Sequence, residues 1–281
     1  MTISVFGGTG FVGSAFAASR PDCFVEPRHA RRPRTAEVVY FISTTDNYGP
    51  LEGDFQRDVD TNLRVLLEVL ETLKGSPRTT FNFVSSWFVY GDAQTVMARE
   101  DGPCRPLGFY GATKLCAEHL VQSFCRTFGH DYRILRLCNV YGPNDRGASK
   151  KKNAPTWLLQ VLASGEEVPL YNSGEVHRDF LHVDDVAHAI SLCMEEAPVN
   201  TIINVGSGKT WSFYDIMWNV AEWLDIPFEM RSVSPPDFHR AVQVTDFSMS
   251  IERLRQTGFR PKANLVREMA AICDSFRTGT P

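Results

Sequence analysis

The sequence predicts an α/β protein, with a doubly wound parallel sheet followed by a smaller C-terminal α/β lobe. Three observations predict it. A short apolar strand runs straight into a glycine-rich turn and a helix at the start of the chain. Apolar strands and long amphipathic helices then alternate, the pattern of a parallel sheet covered on both faces. Finally, 281 residues of which 43% are hydrophobic suffice for a large core, in one domain or in a domain plus a lobe. The expected division puts residues 1–142, with parts of 176–206, in a dinucleotide-binding domain and 143–175 with 207–281 in a substrate lobe.

Thr2 to Phe6 reads as a buried strand and Ser14 to Ser19 as a helix. Between them Gly7, Gly10 and Gly13 recur every third residue. Gly7 lets the chain turn off the strand, Gly10 leaves room for a pyrophosphate, and Gly13 allows close helix packing. The free N–H groups of the helix start, with its positive dipole end, then meet the phosphate charge. Thr9, Gly10, Phe11, Val12 and Gly13 are therefore candidate cofactor contacts. Cys23 to Glu26 is a plausible second strand. An acidic residue at its end, here Glu26, suits ribose hydroxyls, whereas basic groups suit a 2′-phosphate. Arg28, Arg31, Arg32 and Arg34 crowd that position. Their other reading is a solvated basic loop. The cofactor is expected to be NADP or NAD, with Arg28 favouring NADP.

Glu37 to Ile42 is an apolar, β-branched run and hence a buried parallel strand, arriving so early that this region is abbreviated. Ser43-Thr44-Thr45 closes it, at the strand end where a cofactor lies, so Ser43 and Thr44 join the candidates. Phe55 to Leu73 is a long helix with Val59, Leu63, Leu66, Leu67 and Leu70 on one face. Thr80 to Val84 is a strand ending in Ser85-Ser86, Phe109 to Phe128 a helix, and Tyr132 to Leu137 a strand. Lys150 to Lys152 reads as a solvated basic run, within a loop that also holds Arg146 and Gly147. Helices follow at Thr156–Ala163, Val183–Met194, Phe213–Leu224, Ser248–Gln256 and Leu265–Phe276. Strands are expected at Val168–Tyr171, Arg178–Leu181, Thr201–Val205 and Phe228–Arg231.

A net charge of -4 offers no basic field for nucleic acid. The seven cysteines are scattered, without metal-ligand spacing, and their odd number argues for reduced thiols, hence a cytoplasmic setting. A strand beginning at residue 2 or 3 leaves no room for a signal peptide, and no apolar run approaches a membrane span. No metal is expected.

The sharpest chemical signal after the glycines is Tyr110-Gly111-Ala112-Thr113-Lys114. Residues four apart share a helix face, so the Lys114 ammonium lies near the Tyr110 phenol. A cation roughly 5 Å away at an effective dielectric of about 20 favours the phenolate by roughly 3 kcal/mol, or about two pKa units. Tyr110 would then exchange protons near neutral pH. Tyr-x-x-x-Lys alone is common. It gains weight here from the nucleotide-binding turn upstream and from Ser85-Ser86 at a parallel strand end.

These residues together resemble the extended short-chain dehydrogenase/reductase family, in its NAD-dependent epimerase/dehydratase branch, whose members act on nucleotide sugars with a Rossmann-type fold. The resemblance covers nearly the whole chain. It rests on the three glycines, Ser85-Ser86-Trp87-Phe88-Val89-Tyr90-Gly91, Tyr110 and Lys114. It rests also on Leu135 to Pro143 and on Arg178-Asp179-Phe180-Leu181-His182-Val183-Asp184-Asp185. It implies that Ser86 hydrogen-bonds the substrate oxygen, that Tyr110 is the acid/base, and that Lys114 binds the nicotinamide ribose. It further implies that Asn139 contacts the substrate diphosphate, and that Arg178 and Arg240 lie near the substrate nucleotide or its phosphates. Read alone, Asn139 is also a turn residue, each arginine a surface ion pair, His182 a structural residue, and Cys116 and Cys138 packing residues. Homodimerisation through the helices 55–73 and 109–128 is implied as well.

The chain departs from the family's dehydrating members. These resemble one another in carrying Asp-Glu after the catalytic Ser/Thr, where this chain has Trp87 and Phe88. Neither can move a proton, which argues against 4,6-dehydration, and Phe88 argues against decarboxylating relatives. Reduction of a 4-keto-6-deoxy nucleotide sugar and epimerisation through a keto intermediate remain. A non-catalytic dinucleotide-binding protein is the third reading, opposed by the complete Ser/Tyr/Lys set. Trp87 and Phe88 are expected beside the substrate.

Overall fold

The structure, a computed structural model, describes residues 2–44, 54, 56–93, 97–145, 154–242 and 246–279. Six parallel strands form the central sheet in the order β2-β1-β3-β4-β5-β9. They are β1 (Ile3–Phe6), β2 (Cys23–Val25), β3 (Glu37–Tyr40), β4 (Thr80–Ser86), β5 (Asp131–Leu137) and β9 (Thr201–Val205). The inner strands are buried on both faces, which is why they read as continuous apolar runs. Only β2 stands outside β1, so the early arrival of β3 does reflect an abbreviated half-sheet.

One face of the sheet carries α1 (Phe11–Ser19) and α6 (Val183–Glu196), packed against each other. The other carries a helix in three parts: α2 (Arg57–Val59), a π-helical turn (Asp60–Arg64) and α3 (Val65–Glu71). Beside it runs α4 (Phe109–Phe128), which ends on left-handed Gly129 as expected of a helix C-terminus. The single apolar face expected for 55–73 is not what forms. Leu66, Val69 and Leu70 are buried, but Val59 and Leu67 are 45% and 47% exposed. The π-turn breaks the 3.6-residue phase, so Val59 leaves the buried face.

The lobe is built from α5 (Ala154–Ala163), α7 (Phe213–Leu224) and α10 (Leu265–Thr278), with the parallel pair β7 (Val168–Tyr171) and β11 (Met230–Val233). A three-stranded sheet, β10-β8-β6, joins lobe and main domain through β6 (Asn139–Tyr141), β8 (His177–His182) and β10 (Thr210–Ser212). The helix expected at Ser248–Gln256 is shorter: only α9 (Glu252–Gln256) is helical. Ahead of it the backbone bonds Ala98 instead, with Ala98 N donating to the Ser248 carbonyl and Ser250 N to the Ala98 carbonyl, each at 2.9 Å. Phe247, Met249, Ile251, Leu254 and Phe259 thereby pack into the core of the main domain, with Ile3, Val5 and Phe16. Among the described residues no helix is long and apolar enough to cross a membrane. Thr45, Phe55, Arg146, Gly147 and Lys150 to Lys152 lie outside the described residues.

Candidate active site

A cavity of about 810 Å³ opens at the carboxyl ends of β1, β4 and β5, facing the lobe. Ligands of open parallel sheets bind at such strand ends, and the volume suits a small-molecule site. Its floor is the glycine turn. Gly7 holds φ +76, a left-handed backbone that glycine adopts without strain. A Cβ on Gly13 would lie 2.3 Å from the Gly7 carbonyl oxygen, so the start of α1 sits directly on the turn. A Cβ on Gly10 would meet nothing nearer than that oxygen at 3.4 Å; Gly10 borders open cavity. Gly7, Gly10, Phe11, Val12, Gly13 and Ser43 all line the space. A bare backbone surface at a helix N-terminus is the cradle a pyrophosphate requires.

Ser86, Tyr110 and Lys114 meet on the opposite wall. Ser86 closes β4 and caps the turn that follows, its Oγ accepting from Phe88 N at 3.4 Å. Tyr110 faces the Ser86 and Ser43 side chains across the lining, and both act on its phenol. Lys114 follows one helical turn later, 2% exposed, with Nζ donating to the Val84 carbonyl at 2.6 Å and lying 4.2 Å from the Phe83 ring centre.

The electrostatics correct the expectation for Tyr110. Burial, not Lys114, dominates: it pushes the phenol above its ordinary value, against the opposing effect of the Ser86 and Ser43 side chains. Burial likewise pushes the Lys114 ammonium down to about 7, with Glu118 opposing it. Spacing along a helix predicts proximity but not desolvation, which penalises both charged forms.

Trp87 and Phe88 continue the wall. Trp87 stacks on Phe88 and Phe247 with ring centres 4.2 and 4.5 Å apart, and Phe88 meets Tyr110 edge-on at 5.6 Å. The Arg178 guanidinium lies 5.3 Å from the Trp87 ring centre, a cation–π geometry, and burial lowers its pKa to about 10. Asn139 lines the cavity while its amide donates to the Asp179 carbonyl at 3.0 Å. Arg240 reaches the rim from α8 (Asp237–Val242), where it pairs with Asp237 and donates to the Pro235 carbonyl. Sequence reasoning missed α8, and with it His239, which lines the cavity 4.8 Å from the Tyr171 ring centre. Burial and then Arg178 push His239 down to about 4, so it is neutral at physiological pH. The signal that could have found α8 is Pro235-Pro236-Asp237, a helix start.

Four expected cofactor residues do not reach the cavity. The Glu26 carboxylate is buried against Arg34, 3.4 Å from its Nε. Arg28 and Thr9 are exposed and are not among the lining residues. Thr44 is buried behind it, donating to Asp58 at 2.5 Å and receiving the Asn62 amide at 2.9 Å. Asn62, carried by the π-turn, also donates to Thr113 at 2.9 Å and so ties the end of β3 to α4. No sequence pattern flagged it.

The sequence matches the model of the NAD dependent epimerase/dehydratase family over residues 54–206, more than half of the chain. A dTDP-L-rhamnose 4-epimerase from Burkholderia thailandensis is 30% identical over 60% of this chain and 46% of its own length. A dTDP-glucose 4,6-dehydratase from Streptomyces antibioticus is 27% identical over 86% of this chain and 70% of its own. The matched stretch spans only about half the length of several such relatives. The UDP-glucose 4-epimerase of Thermotoga maritima, solved with UDP-glucose, superposes over 100% of both chains with a TM-score of 0.87 at 22% identity, a likeness of fold. By that family match the chain belongs to the NAD-dependent epimerase/dehydratase family, a branch of the extended short-chain dehydrogenases/reductases.

Proposed function

We propose that this protein is a nicotinamide-dinucleotide-dependent oxidoreductase that reduces the C4 carbonyl of a 4-keto-6-deoxy nucleotide sugar. The observation that carries the reading is the wall itself: Tyr110 beside Ser86, with Trp87 and Phe88 in place of carboxylates after it, in the same cavity as the glycine cradle. A reductase must begin with the phenol as acid; oxidation of a sugar hydroxyl must begin with the phenolate. The bound dinucleotide supplies the hydride. Ser86 Oγ orients the substrate carbonyl, and Tyr110 gives its proton to the carbonyl oxygen as hydride reaches the carbon. Lys114, as an ammonium, holds ribose hydroxyls and stabilises the phenolate left behind. Arg178 and Arg240 bind the diphosphate, which suits paired guanidinium groups, and Asn139 assists. Among the described residues, Asp145 is the one carboxylate lining the cavity, and Trp87 and Phe88 stand after Ser86. That supports reduction over dehydration, and an aromatic wall suits a deoxy sugar.

NADPH is the proposed donor. Arg34 already neutralises Glu26, which favours a 2′-phosphate over free ribose hydroxyls near Arg28. A homodimer through α2–α4 is also proposed; exposed Leu67, Phe109 and Phe128 on these helices support it. A second reading, epimerisation with retained NAD, is favoured by the relative named as a 4-epimerase.

The test is loss of nicotinamide absorbance with a panel of 4-keto-6-deoxy nucleotide sugars and NADPH or NADH. Stoichiometric loss supports the reductase. No loss, with the reduced dinucleotide bound, shifts the assignment to the epimerase. Tyr110→Phe should keep dinucleotide affinity while turnover falls about 10²- to 10⁴-fold. Turnover near the parent's would sink the mechanism.

A further inference from the structure

Behind the catalytic wall lies a buried ionic cluster that the chemistry above does not use. Glu118 is fully buried on α4, one turn after Lys114. Arg136 grips its carboxylate, Nε at 3.1 Å from Oε1 and the second guanidinium nitrogen at 2.7 Å from Oε2. Ser85 Oγ donates to Oε1 at 2.5 Å. Ser85 and Arg136 are direct partners across β4 and β5, so both strands present their polar groups to one point on the helix. The flanking residues of Ser85 are Val84, whose carbonyl receives the Lys114 ammonium, and Ser86.

We propose that Glu118 is a positioning residue for Lys114: held by Arg136 and Ser85, its carboxylate supplies the buried negative charge that keeps Lys114 an ammonium at the Val84 carbonyl. The inference rests on the dinucleotide-binding reading given above. A buried ammonium without an anion sheds its proton. Lys114 is nearly fully buried, and one carbonyl does not replace its hydration. Burial pulls its pKa toward 7, and Glu118 is the charge that opposes this. The titratable and charged groups around the cluster are Tyr110 and Glu118 on α4, Arg136 on β5 and Asp58 on α2, which acts on Tyr110. Tyr90 and Cys104 face Arg136. Arg136 thus has two effects. It fixes the Glu118 carboxylate in place, and as a cation beside it offsets part of the negative charge there.

The experiment measures the dissociation constants of NADPH and NADH by fluorescence across a pH series. In the parent protein affinity falls on the alkaline side as Lys114 loses its proton; Lys114→Met should abolish that limb, which identifies it. Glu118→Gln should move the limb down by roughly one pH unit, a loss of about tenfold in affinity at a pH within the shifted window. Glu118→Gln leaves Arg136 buried without its anion and risks misfolding. The double variant Glu118→Gln/Arg136→Met removes both charges, and its limb should move the same way by a smaller amount. Uniformly weaker binding with an unmoved limb in both variants would reduce Glu118 to a packing role and overturn the proposal. A parent that binds neither dinucleotide would overturn the underlying reading, and this inference with it.

Discussion

The glycine turn after β1 and the aromatic wall after β4 face each other across one cavity, yet they are made differently. In the turn the space is shaped by backbone alone. Gly7 bends, α1 presses its Gly13 onto the bend, and Gly10 stays bare toward the cavity. In the wall the space is shaped by side chains: Trp87, Phe88 and Phe247 stack in series, with Arg178 against them. Phe247 comes from 160 residues downstream of Trp87, held in place by the backbone bonds between Ala98 and residues 248 and 250 and by Met97 N donating to Ser248 Oγ. A surface made of backbone tolerates almost no change in covalent structure and little depends on distant residues. A surface made of stacked rings is the reverse, replaceable in kind but dependent on remote support.

The largest expected effect is on the wall. Trp87→Ala should cost about 3–5 kcal/mol of stability, because a nearly fully buried ring is removed from a stack that cannot close up. Urea denaturation measures it; a loss under about 1 kcal/mol would mean that the wall is not packed as a unit. Next comes the turn. Gly13→Ala should destabilise by about 1–3 kcal/mol, since its Cβ must displace the Gly7 carbonyl.

Lys114 sharpens the contrast through pH. Its folded value is about 7 against the ordinary 10.5. Between these two values the unfolded chain holds a proton that the fold lacks. Stability from this residue therefore rises with pH there, at about 1.4 kcal/mol per unit, and is flat below about 7. Lys114→Met should remove that rise; identical parent and variant slopes would show Lys114 to be solvated. The smallest effect on stability is expected at Gly10. Gly10→Ala should stay within about 0.5 kcal/mol of the parent in denaturation while weakening dinucleotide binding, because its methyl group points into open cavity. Unchanged affinity would mean that no phosphate passes over Gly10.

The same contrast explains what could be read in advance. The glycine turn, the inner strands and α4 were legible because each is a local pattern: spacing, periodicity and a glycine stop. The Tyr110 and Lys114 pairing was legible as geometry, but the direction of the Tyr110 shift was not, since burial depends on everything packed around it. The short strands β6 and β10 are three residues each and carry no period. α8 brings His239 to the rim, and no local pattern reveals a rim. The role of Phe247 depends on where β9 and residues 97–100 sit, which only the assembled fold decides.

The π-turn at Asp60–Arg64 has a further consequence. Such a turn holds one residue more than an α-helix would fit in the same rise, so it behaves as an insertion stored inside a helix. Deleting a single residue from it would let α2 and α3 fuse into a regular helix. The flanking turns would keep their orientation, because the turn had already absorbed the extra residue, but the side chains inside it would shift around the axis. Asn62 would lose Thr44 and Thr113 together, and with them the link between the end of β3 and the helix that carries Tyr110. One excess residue is thus the pin that keeps the two halves of the cavity wall in register, and a length change there would reach the cavity without altering any residue that lines it.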